Sequence, residues 1–179
     1  MPGHHRIAAS LMAASITCTT LGLPGLVQAQ NSAAAAQAPA ISGVTLENKA
    51  FQLASRRGKV VLVMFWSTDC AVCRDKMPEL RENALGWADK PFELVLVNVD
   101  AKMEDVNSYN AIINKTVPAN QRLTQLWAGD AGYQDNTGLS KLQRRQLPVT
   151  LLIDKKGQLV ERYNGRIPGQ VWDTIADLL

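Results

Sequence analysis

A chain of 179 residues with 46% hydrophobic and 20% charged positions has the proportions of a globular protein, enough for one domain with a genuine core. Its formal net charge of +3 is too small to argue for nucleic acid or an anionic membrane as partner.

Residues 1–29 read as a secretory signal peptide. Met1 to Arg6 carries one arginine and two histidines, Ile7 to Val27 is mostly apolar and small, and Val27-Gln28-Ala29 supplies small-residue cleavage chemistry. The rival is an uncleaved membrane anchor, since the run is about long enough to span a bilayer; Gly22, Pro24 and Gly25 near its end favour the signal. A lipoprotein site at Cys18 is disfavoured by the Ser15-Ile16-Thr17 before it. Residues 30–40 have no charge and no large side chain, so they read as a flexible Ala-rich tether ahead of a domain spanning 41–179. Loss of the leader removes Cys18, His4, His5 and Arg6. The mature chain then keeps Cys70 and Cys73 as its only cysteines, has no histidine and carries +2. Two thiols so close together staple too small a loop to stabilise much, so redox chemistry is the better use of them.

Val44 to Leu46 and Phe51 to Leu53 alternate on either side of Glu47-Asn48-Lys49, as a β-hairpin would. Lys59 to Trp66 then holds an unbroken apolar run rich in valine, which suits a strand covered on both faces of a parallel sheet. From Cys70 the period changes: Cys70, Cys73, Met77, Leu80 and Ala84 mark one helical face. Cys70 falls at the helix N-terminus, where unpaired N–H groups and the macrodipole favour an anion, so its thiolate should form more readily than that of free cysteine. Cys73, one turn on, is expected to be more sheltered. Such a pair suits thiol–disulfide exchange, with an accessible thiol attacking and its neighbour resolving the mixed disulfide. Arg74, four residues after Cys70, can add a cation near the thiolate. Pro78 should kink the helix without ending its apolar face.

Phe92 to Val99 predicts a second interior strand, and strand, helix, strand makes a right-handed parallel crossover. Met103 to Ile113 predicts an amphipathic helix. Thr116 to Gly138 reads as an irregular insertion around a short helix at Gln121 to Trp127, and Leu139 to Gln146 as helical, with Lys141, Arg144 and Arg145 on a solvated face. Asp100 and Asp105 read as ordinary surface acids. Pro148 to Ile153 and Gln158 to Tyr163 flank the turn Asp154 to Gly157 and predict an antiparallel hairpin. Pro168 opens a last helix with Val171, Trp172, Ile175, Leu178 and Leu179 on one stripe. These elements give an α/β domain.

The order of parts, with Trp66-x-x-x-Cys70-x-x-Cys73-x-x-x-x-Pro78 and Leu147-Pro148-Val-Thr before the hairpin, resembles the thioredoxin superfamily. More narrowly it resembles the exported TlpA/ResA/DsbE-like thiol–disulfide oxidoreductases, which share the leader, the N-terminal hairpin and a Gly-Lys-Val-Val-Leu-Val-x-Phe-Trp strand. That resemblance implies a thioredoxin-like fold: a mixed central sheet flanked by helices, with an N-terminal β-hairpin extension. It implies Cys70 as nucleophile, Cys73 as resolving thiol and Pro148 as a cis-proline beside their redox-active disulfide. The backbone of Leu147 would pair with an extended substrate segment and Trp66 would border it. It also implies a periplasmic enzyme without cofactor or metal, most readily a reductase of protein disulfides recharged by a membrane thiol–disulfide electron donor. Cytochrome c apoproteins, an oxidase assembly factor and a general rescue pathway all suit it as clients.

Three positions depart from those families. Met64 stands where thioredoxin has a buried acid, Lys76 where ResA-like proteins often have glutamate, and Asp69 where tryptophan is common. Asp69 is open to three readings: a helix cap, a proton acceptor, or a like charge opposing the thiolate. The alternative function is a Cu(I)-binding module using both thiolates, with Met64 or Met77 as further soft ligands. It suffers from the lack of histidine and of a full ligand set. A peroxidase of the peroxiredoxin kind would use Ser67-x-x-Cys70, but its upstream Pro-x-x-x-Thr is absent.

Overall fold

Residues 39–179 are described by the computed structural model; the expected leader and most of the tether lie outside the described residues. At the tether's end, Ala40 donates its N–H to Asn136 Oδ1 at 2.7 Å and its carbonyl accepts from the Asn136 N–H at 3.1 Å.

Strands β1 (Ile41–Val44) and β2 (Ala50–Gln52) form the expected hairpin, which β6 (Gln134–Asp135) extends to three antiparallel strands. The main sheet has the order β5 (Thr124–Trp127), β4 (Phe92–Asn98), β3 (Val60–Trp66), β7 (Val149–Ile153), β8 (Leu159–Asn164). Its centre is β3 (Val60–Trp66), every residue of which is buried, in keeping with an apolar run that has no alternation. On one side β3 pairs in parallel with β4 (Phe92–Asn98), and on the other antiparallel with β7 (Val149–Ile153), itself paired with β8 (Leu159–Asn164). The β7–β8 turn closes at Gly157, whose φ of +79° a residue with a Cβ rarely adopts.

Helix α1 (Ala71–Gly86) connects β3 to β4, α2 (Met103–Thr116) follows β4, and α3 (Val171–Leu178) ends the chain. In α1 the apolar face buries Cys73, Met77 and Leu80 as the spacing predicts, and the helix runs on past Pro78.

Two expectations fail. Gln121 to Trp127 does not form the expected helix: Gln121 ends a 3-10 turn, Ala119–Gln121, and Thr124–Trp127 is strand β5, parallel to β4 with Val95 opposite Thr124 and Asn98 opposite Trp127. Leu123, Leu126 and Trp127 mimic a helical spacing, but β4 offers unpaired N–H and C=O groups on that side, and pairing satisfies them. Leu126, fully buried, then packs beneath Gly43, where an added Cβ would lie 3.1 Å from its methyl. Leu139 to Gln146 is not one helix but two 3-10 turns, Leu139–Lys141 and Arg144–Gln146, with Leu142 extended between them. An eight-residue helix is marginal by itself, and the break lets Leu139 and Leu142 both reach the core before the chain enters β7.

Candidate active site

The end of β3 delivers the chain to Cys70, the N-cap of α1, and a disulfide joins it to Cys73 with an S–S distance of 2.09 Å and Cα atoms 5.2 Å apart. The Cys73 N–H donates to Cys70 Sγ at 3.2 Å, so the outer sulfur takes one of the four donors that a helix start leaves unpaired. Cys73 is fully buried and Cys70 is 5% exposed. The asymmetry runs in the expected direction, but the outer sulfur is less accessible than expected. What faces solvent between them is Ala71 and Val72, the latter 39% exposed.

With Cys70 at the N-cap, Asp69 is not the helix cap. Its carboxylate accepts from Ser67 Oγ at 2.6 Å and lies 3.4 Å from the Arg144 guanidinium, away from the helix amides. Arg74 sends its guanidinium back to the Thr68 carbonyl. Asp100, expected to be an ordinary surface acid, is instead the anchor of this turn. Its two oxygens accept the Thr68 N–H at 3.1 and 3.0 Å, Asn98 Nδ2 donates to one of them at 2.9 Å, and the Asp100 carbonyl takes Trp127 Nε1 at 2.8 Å. The signal available was positional. Asn98 and Asp100 stand at the carboxyl end of a parallel strand, the end at which open α/β sheets place their sites.

The second wall of the site is the turn before β7. The Leu147–Pro148 peptide is cis, as the resemblance implies. The Leu147 N–H already donates to the Arg144 carbonyl at 3.1 Å, and the Pro148 carbonyl accepts from Gly165 N–H at 2.8 Å. The Leu147 N–H is therefore already engaged within the chain. Phe65 opposite Val149 sets this turn next to the end of β3. Trp66 does not border a client: it is fully buried, with its ring edge-on to Tyr109 at 4.9 Å. It supports the site from beneath.

Beyond Cys73, the helix buries a cation. Lys76 is 7% exposed and its ammonium bridges both Glu79 oxygens, at 2.7 and 2.8 Å; Trp172 Nε1 of α3 donates to the same carboxylate at 2.7 Å. Burial pushes the Glu79 carboxyl up, but hydrogen bonds from Lys76 and Trp172, with the charges of Lys76 and Arg166, more than offset it and hold the group below the ordinary carboxylate value. Lys76, at the place where the resemblance expects glutamate, thus holds the Glu79 carboxylate through which α1 is tied to α3. Met64 and Met77 are buried in the core. Among the described residues no three His, Cys, Asp or Glu side chains gather as metal ligands.

A model of the AhpC/TSA family matches residues 34–174. The chain is 27% identical over 133 residues to thiol-disulfide oxidoreductase ResA of Bacillus thuringiensis (strain Al Hakam), covering 72% of this chain and 68% of that one. It is 26% identical over 146 residues to thioredoxin-like protein YneN of Bacillus subtilis, covering 79% and 78%. Among solved structures, the thioredoxin domain of a thiol-disulfide oxidoreductase from Bacteroides vulgatus superposes with a TM-score of 0.60 at 25% identity, over 78% of this chain and 93% of that one. A thiol:disulfide interchange protein from Chlorobium tepidum, at 24% identity over 78% and 92% and a TM-score of 0.59, shares the fold. The fold is thioredoxin-like.

Proposed function

From a chain that belongs to the AhpC/TSA family and joins its two helix-start cysteines in a disulfide, we propose a periplasmic thiol–disulfide oxidoreductase that reduces the disulfides of protein partners. One observation carries the reading: Cys70 caps α1 and its sulfur accepts the Cys73 N–H. On reduction, that donor and the helix N-terminus stabilise a thiolate at Cys70 over one at Cys73.

In the reductive direction the Cys70 thiolate attacks one sulfur of a client disulfide. A Cys70–client bond forms as the client S–S bond breaks, and the second client sulfur leaves as thiolate and takes a proton from solvent. The Cys73 thiol then loses its proton and attacks Cys70 Sγ, forming the Cys70–Cys73 bond and releasing the first client sulfur as thiol. Two electrons pass from the protein dithiol to the client, and a membrane thiol–disulfide donor returns two to the oxidised pair. Met64 cannot take the Cys73 proton. Asp69 and Arg74 tune the pair from outside. Asp69 is held by Ser67 and Arg144, and the Arg74 guanidinium lies one residue before it in the chain, on the Thr68 carbonyl. The leader directs export, and the Leu147 carbonyl lines the client beside Pro148.

Insulin reduction driven by dithiothreitol tests the reading. The wild type is expected to accelerate it and Cys70→Ser to lose the acceleration, while Cys73→Ser accumulates client bound through Cys70. If both variants keep wild-type turnover, the reading is wrong. N-terminal sequencing of protein recovered from a periplasmic fraction checks the leader, with cleavage after Ala29 expected.

A further inference from the structure

Taking the Cys70–Cys73 exchange reading as its basis, we propose that the client segment docking at Cys70 is acidic, with carboxylates on either side of its own cysteine, and that arginines on three segments flanking the start of α1 select it. Arg74 stands in the first turn of α1, with its guanidinium on the Thr68 carbonyl. Arg144 and Arg145 come from the turn before Leu147–Pro148, and Arg144 reaches across to Asp69, next to Cys70. Arg166 follows Gly165, whose N–H holds the Pro148 carbonyl, and reaches Asp75 in α1. Three separate segments thus bring guanidinium groups to the first turns of α1: Arg74 and Arg144 at Thr68 and Asp69 just before Cys70, and Arg166 at Asp75 further along the helix, near Glu79.

The carboxylates already there hold them weakly. Asp69–Arg144 spans 3.4 Å and Asp75–Arg166 spans 3.5 Å, with all four side chains 56–69% exposed. Pairs of this kind contribute little and exchange readily with a competing carboxylate. Arg74 and Arg145 have no carboxylate within ion-pair distance among the described residues. Asp100, the other acid at this turn, is occupied by the Thr68 N–H and Asn98. A guanidinium fork matches a carboxylate in shape as well as charge. Ala71 and Val72, exposed between the cysteines, add an apolar contact for the client residue beside the scissile sulfur.

The test uses two synthetic peptides with the same intramolecular disulfide, one flanked on both sides by glutamates and one by lysines. Rates of reduction by the reduced protein are divided by the rates with dithiothreitol, which cancels the intrinsic reactivity of each disulfide. The glutamate peptide is expected to be preferred about tenfold at low ionic strength, with the preference shrinking toward unity at 0.5 M salt, as screening of exposed charges requires. Arg74→Glu with Arg145→Glu should reverse the preference. Arg74→Gln with Arg145→Gln, the milder change, should narrow it. Equal normalised rates for both peptides, or a preference for lysine, overturn the acidic-client inference while leaving the exchange reading intact. If neither peptide is reduced, the exchange reading falls and this inference goes with it.

Discussion

Helices α1 and α2 are nearly equal in length, 16 and 14 residues, yet they are held in different ways. The first buries Cys73, Lys76, Met77 and Leu80 and is tied to α3 through Glu79 and Trp172. The second buries only Val106, leans Tyr109 on Trp66, and leaves Ile112 60% exposed. The helix that carries the sulfurs is the one the core grips. A disulfide that opens and closes needs its two cysteines returned to the same separation each cycle, so the element bearing them must not drift. No cysteine lies on α2, and its link to the site is indirect, through Tyr109 against Trp66.

That contrast is open to test by substitution and by exchange. The largest effect belongs to the first turn of α1. Cys70→Ser abolishes disulfide reduction, and Cys73→Ser leaves a Cys70-linked adduct visible on non-reducing gels. In the reduced protein, thiolate absorbance near 240 nm is expected to appear below the ordinary cysteine value of about 8.5, and the Cys70→Ser variant should lose that early phase.

Next is packing. Leu80→Ala in α1 is expected to cost about 2–5 kcal/mol, read as a lower urea midpoint at unchanged slope. Val106→Ala in α2 removes about two methylene equivalents and should cost roughly 1.5 kcal/mol. A larger loss at Val106 than at Leu80 would refute the contrast.

Smaller again is the Lys76–Glu79 tie. Glu79 has a side chain 42% exposed, so solvent screening keeps the effect of Glu79→Gln to about 1 kcal/mol or less. Because the folded carboxyl sits below its ordinary value, its contribution is complete above about 4.5 and is lost as pH falls through the lowered folded value. The stability gap between wild type and variant is therefore expected at pH 7 and absent in strong acid. A gap that widened on acidification would reverse the sign assigned here. The smallest effect is Ile112→Ala, expected within about 0.5 kcal/mol of wild type. Amide exchange should likewise protect α1 better than α2.

How far the sequence disclosed all this varied with the kind of physics at work. The central strand was legible because Val60 to Trp66 has no polar interruption, and α1 was legible because Cys73, Met77 and Leu80 keep one period. The segment from Thr116 to Gln146 was not. Thr124 to Trp127 becomes strand because β4 lies beside it, and that neighbour is distant in sequence. Nor could Asp100 be distinguished from any surface acid, since its hydrogen bonds run to Thr68 and Asn98. The Asp69 cap was the natural choice for a side chain just ahead of a helix; Cys70 occupies that place, and Ser67 and Arg144 draw Asp69 elsewhere.

By itself the sequence determined what depends on neighbours a few residues apart: apolar periods, the position of the two cysteines at a helix start, and the glycine turn of the β7–β8 hairpin. Tertiary structure alone decided which distant groups meet. It chose the edge partner of β4, hid Trp66, brought Arg144 to Asp69 and Arg166 to Asp75, and set Glu79 against Trp172. The physical reason is range. Local backbone preference is written residue by residue, whereas a hydrogen bond or ion pair between remote segments exists only after burial has fixed where each segment lies.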